Sequence, residues 1–249
     1  MYIFFSIRLG ILAHFCYFCC RQGATTMNKW IRRKRNSWGY GVQSPNDFYF
    51  VQHVLREKSP YYAYATLENM ATTYGGHLPH GTSKASSLLF RLANHVHPDT
   101  IIEVGAGFSI YAMALACPSA QSIAITTPEA CNEAMLQLSA QYPHVEIKSG
   151  DEMDIFKQLL CRQHPLDLLH IAHTPYYREV MDAALPYVTD RTLVIIEGIR
   201  DSKDKRAWWK SLQGSPQTGI SYDLGNIGLL FFDRTRHKDT YWINLRKRS

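Results

Sequence analysis

The segment Thr100-Ile101-Ile102-Glu103-Val104-Gly105-Ala106-Gly107-Phe108-Ser109 constrains this chain more than any other stretch. An apolar run that ends in an acid and then two glycines reads as a buried parallel strand delivering the backbone into a tight turn. Glycine there lets a ligand approach the main chain, and a helix follows. The pattern predicts a nucleotide-cofactor site at the carboxyl end of a parallel strand. The third glycine of the dinucleotide fingerprint is missing, with Ser109 near its place.

Around this strand, apolar runs alternate with amphipathic stretches. They predict strand 100–104, helix 108–116, strand 121–126, helix 128–142, strand 145–148, helix 154–162, strand 166–171, helix 176–187, strand 192–197 and helix 203–212. Short continuous apolar strands separated by helices make an α/β fold, a parallel sheet covered on both faces. The end differs, because 220–224 and 228–233 flank Gly225-Asn226 and predict an antiparallel hairpin, with 241–245 as an edge strand or a segment packing alone. Before the sheet, residues 28–81 read as a helical prelude, with Ser44 or Asn46 as a helix cap and 74–81 as a loop; a helix over 83–96 ends at Pro98.

A chain of 249 residues suits one domain with an appendage. The expected division is an apolar extension over 1–26, the helical prelude over 27–98 and the α/β domain over 99–249. The net charge of +6 gathers at Lys29, Arg32, Arg33, Lys34 and Arg35 and at Arg246, Lys247 and Arg248. Two terminal clusters do not make a groove, so solvated ends are expected and nucleic acid is not a predicted partner. The six cysteines show no paired zinc spacing and read as small buried hydrophobes of a reducing compartment. The apolar residues 1–20 followed by a basic block raise a membrane tether with the body on the cytoplasmic side. Arg8 and His14 interrupt that run, and an arginine near mid-span costs ~2.5–3.5 kcal/mol. The preferred reading is a cytoplasmic protein starting at Met27, with an inner-membrane tether as the alternative.

Local sequence then adds a resemblance. Gly39-Tyr40-Gly41-Val42-Gln43-Ser44-Pro45, Leu89-Phe90-Arg91-Leu92, Glu103 to Ser109 and Asp223-Leu224-Gly225-Asn226-Ile227-Gly228-Leu229-Leu230-Phe231-Phe232 stand in order along the chain. In these landmarks the chain resembles class I S-adenosylmethionine-dependent methyltransferase-like proteins of a type common in Bacteroidetes, over about Met27 to Leu245. The resemblance implies a Rossmann-like, mostly parallel sheet of seven strands with a carboxyl-terminal antiparallel hairpin. It also implies S-adenosylmethionine as cofactor and a small molecule as methyl acceptor.

What the resemblance implies residue by residue is mixed. Glu103, Gly105, Ala106 and Gly107 match the first motif and would hold the methionine end of the cofactor. Thr126 stands where an acid would accept both ribose hydroxyls, unless Glu129 reaches back. Asp151 fits the next contact, at the adenine. Ala172 and Gly198 replace acids that would face substrate or a divalent metal, so no metal is expected. Methyl transfer to a hydroxyl still needs a proton acceptor; His170 and His173 at the end of the fourth strand could serve, His173 being the better placed, and His173 with Glu197 are the candidates for it. His77, His80, His170 and His173 as a zinc cluster is the weaker idea, because nothing in the spacing brings the two pairs together. Tyr176-Tyr177 and Trp208-Trp209 suit either an acceptor pocket or ordinary helix packing. The rival reading of the whole is a catalytically inactive member of the fold that serves as a binding or interaction module.

Overall fold

The computed structural model describes residues 31, 42, 44–74, 83–105, 108–162 and 165–245. The apolar extension, the basic blocks, Tyr40 and Gln43, His77 and His80, and Ala106 and Gly107 lie outside the described residues.

Among the described residues three α-helices and one π turn precede the sheet. In α1, Pro45–Phe50, Ser44 is the cap, its hydroxyl accepting from Asp47 N at 3.3 Å, and Pro45 supplies a fixed φ in the first turn. The helix widens into one π turn, Val51–Leu55. Helices α2, Tyr62–Tyr74, and α3, Ser83–Val96, follow, the second with the bounds that its periodicity predicts. Arg91 in the Leu-Phe-Arg-Leu landmark fastens this layer: its guanidinium donates to Val54 O at 2.7 Å, Leu55 O at 3.3 Å and Tyr64 OH at 2.9 Å. Carbonyls at a helix end lack partners of their own, and a planar cation with several N–H groups satisfies two of them at once.

The sheet is built from β1, Thr100–Val104; β2, Gln121–Thr126; β3, Val145–Ser149; β4, Leu166–Ile171; β5, Val188–Glu197; β6, Ile220–Asp223; β7, Ile227–Phe231; and β8, Asp239–Trp242. Their spatial order is β3-β2-β1-β4-β5-β7-β6-β8. The first five are parallel, and β7 runs antiparallel to both β5 and β6. The eighth strand exceeds the seven expected, because β8 adds to the edge by pairing in parallel with β6. The connecting helices are α4, Ser109–Ala116; α5, Glu133–Gln141; α6, Glu152–Arg162; α7, Tyr177–Ala184; and α8, Lys203–Gly214. Helix α5 starts five residues later than its periodicity suggests: Ala130 N and Cys131 N both turn back to Thr127 O, and Asn132 caps the helix on Met135 N at 3.1 Å.

Alternation along each strand sorts the core into two layers. Ile101, Ala124, Leu168, Leu193 and Ile195 pack with α1 to α5 through Val51, Leu67, Leu89, Tyr111 and Leu138. Ile102, Ile123, Leu169, Val194 and Ile196 pack with α6 to α8 through Phe156, Val180, Met181 and Trp209. Full burial of each such Leu, Ile, Val or Phe is worth about 1.5–3 kcal/mol, so the helices of both layers hold the strand ends in fixed register. Glu103 and Thr126 share the face of the first layer, being two residues on from Ile101 and Ala124.

Candidate functional site

The carboxyl ends of β1, β2, β4 and β5 gather polar side chains on one face. In the parallel pairing of β1 with β4, Glu103 lies opposite His170, and that register puts the two side chains side by side. His170 Nδ1 is 2.7 Å from Glu103 Oε2, and its Nε2 is 3.3 Å from Glu197 Oε1 at the end of β5. The second contact is an ion-pair distance without hydrogen-bond alignment. Glu197 continues outward, with Oε2 3.2 Å from His173 Nε2, and His173 Nδ1 faces Asp201 Oδ2 at 3.9 Å. An alternating row of acids and imidazoles therefore runs from a fully buried Glu103 to a half-exposed Asp201.

The electrostatics of the row follow from its burial. Burial by itself disfavours a charged His170, but the hydrogen bond to Glu103 and the negative charges of Glu103 and Glu197 outweigh it and push its pKa up to about 10. Both ring nitrogens then carry protons and face carboxylates. Burial also works against ionised Glu197, yet His170 and His173 overcome it and hold this carboxyl well below the usual range. Glu103 goes the other way: burial raises its pKa, and the bond to His170 offsets only part of the rise. Its second oxygen, Oε1, has no hydrogen-bond partner among the described residues.

Two glycines let the strand ends come this close. Gly105 sits at φ +111°, and a Cβ on it would lie 3.1 Å from His173 N and 3.3 Å from Ala172, so the first turn is pressed against the end of β4. Gly198 sits at φ +69°, and a side chain there would collide with the carboxylate of Asp201 and come within 3.2 Å of Lys205 Nζ. The space that residue 198 leaves vacant is thus filled by an acid three positions later and a lysine from α8.

The other predicted residues take different places. Thr126 is fully buried at the end of β2, and its Oγ1, like Glu103 Oε1, has no hydrogen-bond partner among the described residues. Glu129 does not reach back: it is exposed in the turn after β2, its carboxylate bonded to its own backbone N–H and to the Thr127 hydroxyl. Asp151 is exposed after β3, and its Oδ1 accepts from Asp154 N at 2.8 Å, which makes it the cap of α6. Trp208 and Trp209 are core residues of α8, with Tyr177 edge-on to Trp208 at 4.7 Å, while Tyr176 is exposed. Among the described residues no group of three or more His, Cys, Asp or Glu is arranged to hold a metal ion.

The structure thus brings Glu103, His173 and Glu197 together through His170, which the sequence offers as a second candidate base but whose pairing with Glu103 and Glu197 it does not show. Asp201 and Lys205 were missed, the only local signal being the bare glycine at 198. So was the buried Glu152, which accepts from the Thr174 hydroxyl at 2.6 Å and ties the start of α6 to the loop after β4.

No family model matches this sequence, and no curated protein does. Solved structures do. One described as a candidate caffeoyl-CoA O-methyltransferase from Staphylococcus aureus superposes with a TM-score of 0.57 at 16% identity, over 76% of this chain and 100% of the other. The O-methyltransferase TomG from Streptomyces achromogenes, in complex with SAM, gives 0.53 at 20% identity, over 70% and 91%. The O-methyltransferase from Bacillus cereus, in complex with SAH, gives 0.52 at 19% identity, over 73% and 95%. The chain has the class I methyltransferase fold. Within that fold the row from Glu103 to Asp201 lies at the carboxyl ends of the strands, where open α/β sheets bind ligands.

Proposed function

We propose that the chain is an S-adenosylmethionine-dependent methyltransferase acting without a metal on a hydroxyl group of a small-molecule acceptor. The observation that carries this reading is the pair of buried oxygens, Glu103 Oε1 and Thr126 Oγ1, that lack hydrogen-bond partners among the described residues. Both stand at carboxyl ends of adjacent strands, and a buried polar atom without a partner costs about 1–3 kcal/mol, so a ligand bearing an ammonium and hydroxyls suits them. Solved neighbours of the same fold carrying SAM or SAH support the choice. Glu103, Gly105, Ala106 and Gly107 would hold the methionine end, Thr126 a ribose hydroxyl, and Asp151 the adenine. The bound cofactor supplies a methyl group already activated on a sulfonium.

The chain's own residues then have to hold the acceptor and remove its proton. His173, with a side chain 29% exposed, is reachable from solvent. Glu197 accepts from Nε2 and so fixes the tautomer that leaves Nδ1 to take a proton, and Asp201 lies near enough to Nδ1 to stabilise the resulting imidazolium. With Ala172 and Gly198 at the positions of possible oxygen ligands, this route asks for no divalent ion. Free cysteines Cys117, Cys131 and Cys161 support placing the protein in the reducing cytoplasm. Among the described residues no helix is long and apolar enough to cross a membrane.

One observation favours a second reading, a binding module of this fold without catalysis. Thr126 offers a single hydroxyl where an acid accepts two hydrogen bonds, a loss of about 2–3 kcal/mol in cofactor affinity. Isothermal titration with S-adenosylmethionine and S-adenosylhomocysteine separates the two. Absence of heat up to about 1 mM cofactor, ~4 kcal/mol of binding, removes the enzyme. If binding is seen, His173→Ala should leave it intact and slow transfer by about 100-fold, the lower end for a general base. Unchanged transfer takes His173 out of the mechanism.

A further inference from the structure

His170 stands where the row of acids and imidazoles is most deeply buried. Its side chain has no exposure, with Nδ1 2.7 Å from Glu103 Oε2 and Nε2 3.3 Å from Glu197 Oε1. The same Glu197 carboxylate holds His173 through its other oxygen, Oε2, 3.2 Å from Nε2. One acid is thus shared by two imidazoles, one inside the sheet and one 29% exposed beyond the strand end. His173 also faces a second carboxylate, Asp201, 3.9 Å from Nδ1. Carboxylates this near favour a charged imidazole, and a charged ring has no lone pair left to take a proton from a hydroxyl. Two cations work against them: His170 from β4, on the inner oxygen of Glu197, and Lys205 from α8, whose charge acts on Asp201 and Glu197. Glu103 of β1 lies behind His170, and Glu152 of α6 is turned to the Thr174 hydroxyl at 2.6 Å. His170 is in direct contact with the carboxylate that His173 shares, in an interior where water screens charge little. The acids on either side of it outweigh burial and hold its pKa at about 10.

We propose that His170 is a positioning residue for the base: by offsetting the charge of Glu197 from inside the sheet, it sets the pH at which His173 is uncharged and able to accept a proton. The use of that proton acceptor rests on the methyltransferase reading. Without the inner cation, Glu197 and Asp201 would keep the outer ring charged to higher pH, and the base would be lost where it is needed.

The test is an NMR titration of the full chain carrying ring-15N histidine, the two signals being assigned by their loss in His170→Gln and in His173→Ala. In the wild type both His170 nitrogens should stay protonated across about pH 5–8, the range in which an imidazole ordinarily changes charge. In His170→Gln the midpoint of the His173 titration should move up by about one pH unit, the scale set by removing a neighbouring buried charge. A strand end merely loosened by the substitution would part His173 from Glu197 and Asp201 and move the midpoint down instead. A neutral His170 ring in the wild type, or a His173 midpoint that stays or falls in His170→Gln, overturns the proposal. If His170→Gln does not fold, His170→Asn is read in the same way, and the wild-type ring still decides whether the inner cation exists. Calorimetric titration of the wild type with S-adenosylhomocysteine separates the two readings: absence of binding with the midpoint shift intact refutes the methyltransferase and leaves the charge assignment standing.

Discussion

Asp47 and Glu103 are both carboxylates with almost no exposure, 2% and 0%, yet their surroundings differ. Asp47, on α1, is saturated: Oδ1 accepts from Tyr222 OH at 2.7 Å and from Arg236, and Oδ2 accepts from Tyr241 OH at 3.4 Å. Burial, with Asp47 beside them, raises the pKa of both tyrosines, which keeps them protonated as donors. Glu103 has one oxygen bonded to His170 and the other without a hydrogen-bond partner among the described residues. A buried acid whose lone pairs are filled from within the chain acts as a fastener, here of α1 onto β6 and β8. One left half-filled at the carboxyl end of a strand is poised for something from outside.

That contrast is open to measurement. The largest effect should come from Asp47→Ala, which strands Arg236 and two buried hydroxyls. Stability should fall by about 3 kcal/mol in urea denaturation, the low end for a broken buried pair because Arg236 is partly solvated, while cofactor affinity of the folded fraction stays the same. Glu103→Gln should do the reverse, weakening S-adenosylhomocysteine by about 2 kcal/mol with stability changed by less than about 1 kcal/mol. If Glu103→Gln unfolds the protein as readily as Asp47→Ala does, the two acids have the same role and the contrast is broken.

The third effect is pH-dependent and separates the two regions again. The folded pKa of His170 is raised from 6.5 to about 10, so its contribution to stability is complete below about 6.5 and is lost as pH rises through about 10. Glu103, with a raised pKa, is costlier to keep buried as pH rises, which acts in the same direction. Glu197, held low, contributes above about 4.5 and loses its contribution on acidification. Thermal midpoints should therefore decline on the alkaline side of neutrality, and His170→Gln should flatten that decline. An unchanged slope in the variant would mean that His170 does not carry the proton assigned to it. The smallest effect is Ser44→Ala, which removes the cap of the helix that bears Asp47 and should cost about 1 kcal/mol without touching the cofactor.

The fold was legible because its signals are local. Runs such as Ile101-Ile102 and Val194-Ile195-Ile196 declare buried parallel strands, and α3 could be bounded to the residue from one apolar face and Pro98. Strand β8 was only half legible, since Asp239–Trp242 takes its place by pairing with β6 and carries little periodicity of its own. In the site, Glu103, His173 and Glu197 could be picked out by their position at strand ends. So could His170, as a candidate base, but not its pairing with Glu103, which comes from the register of β4 against β1. Nor could Asp47, whose donors come from Tyr222, Arg236 and Tyr241, far along the chain. Fasteners made by distant partners leave no local pattern.

The two edges of the sheet bear on how copies of this molecule meet. At one edge β3 has five residues and presents Glu146 and Lys148, paired to one another in its outer row; at the other β8 has four and begins with Asp239. Unpaired backbone on a long flat edge invites another chain to add a strand, and short edges bearing charge discourage it. Such edges discourage crowded copies of this protein from zipping together through their backbones.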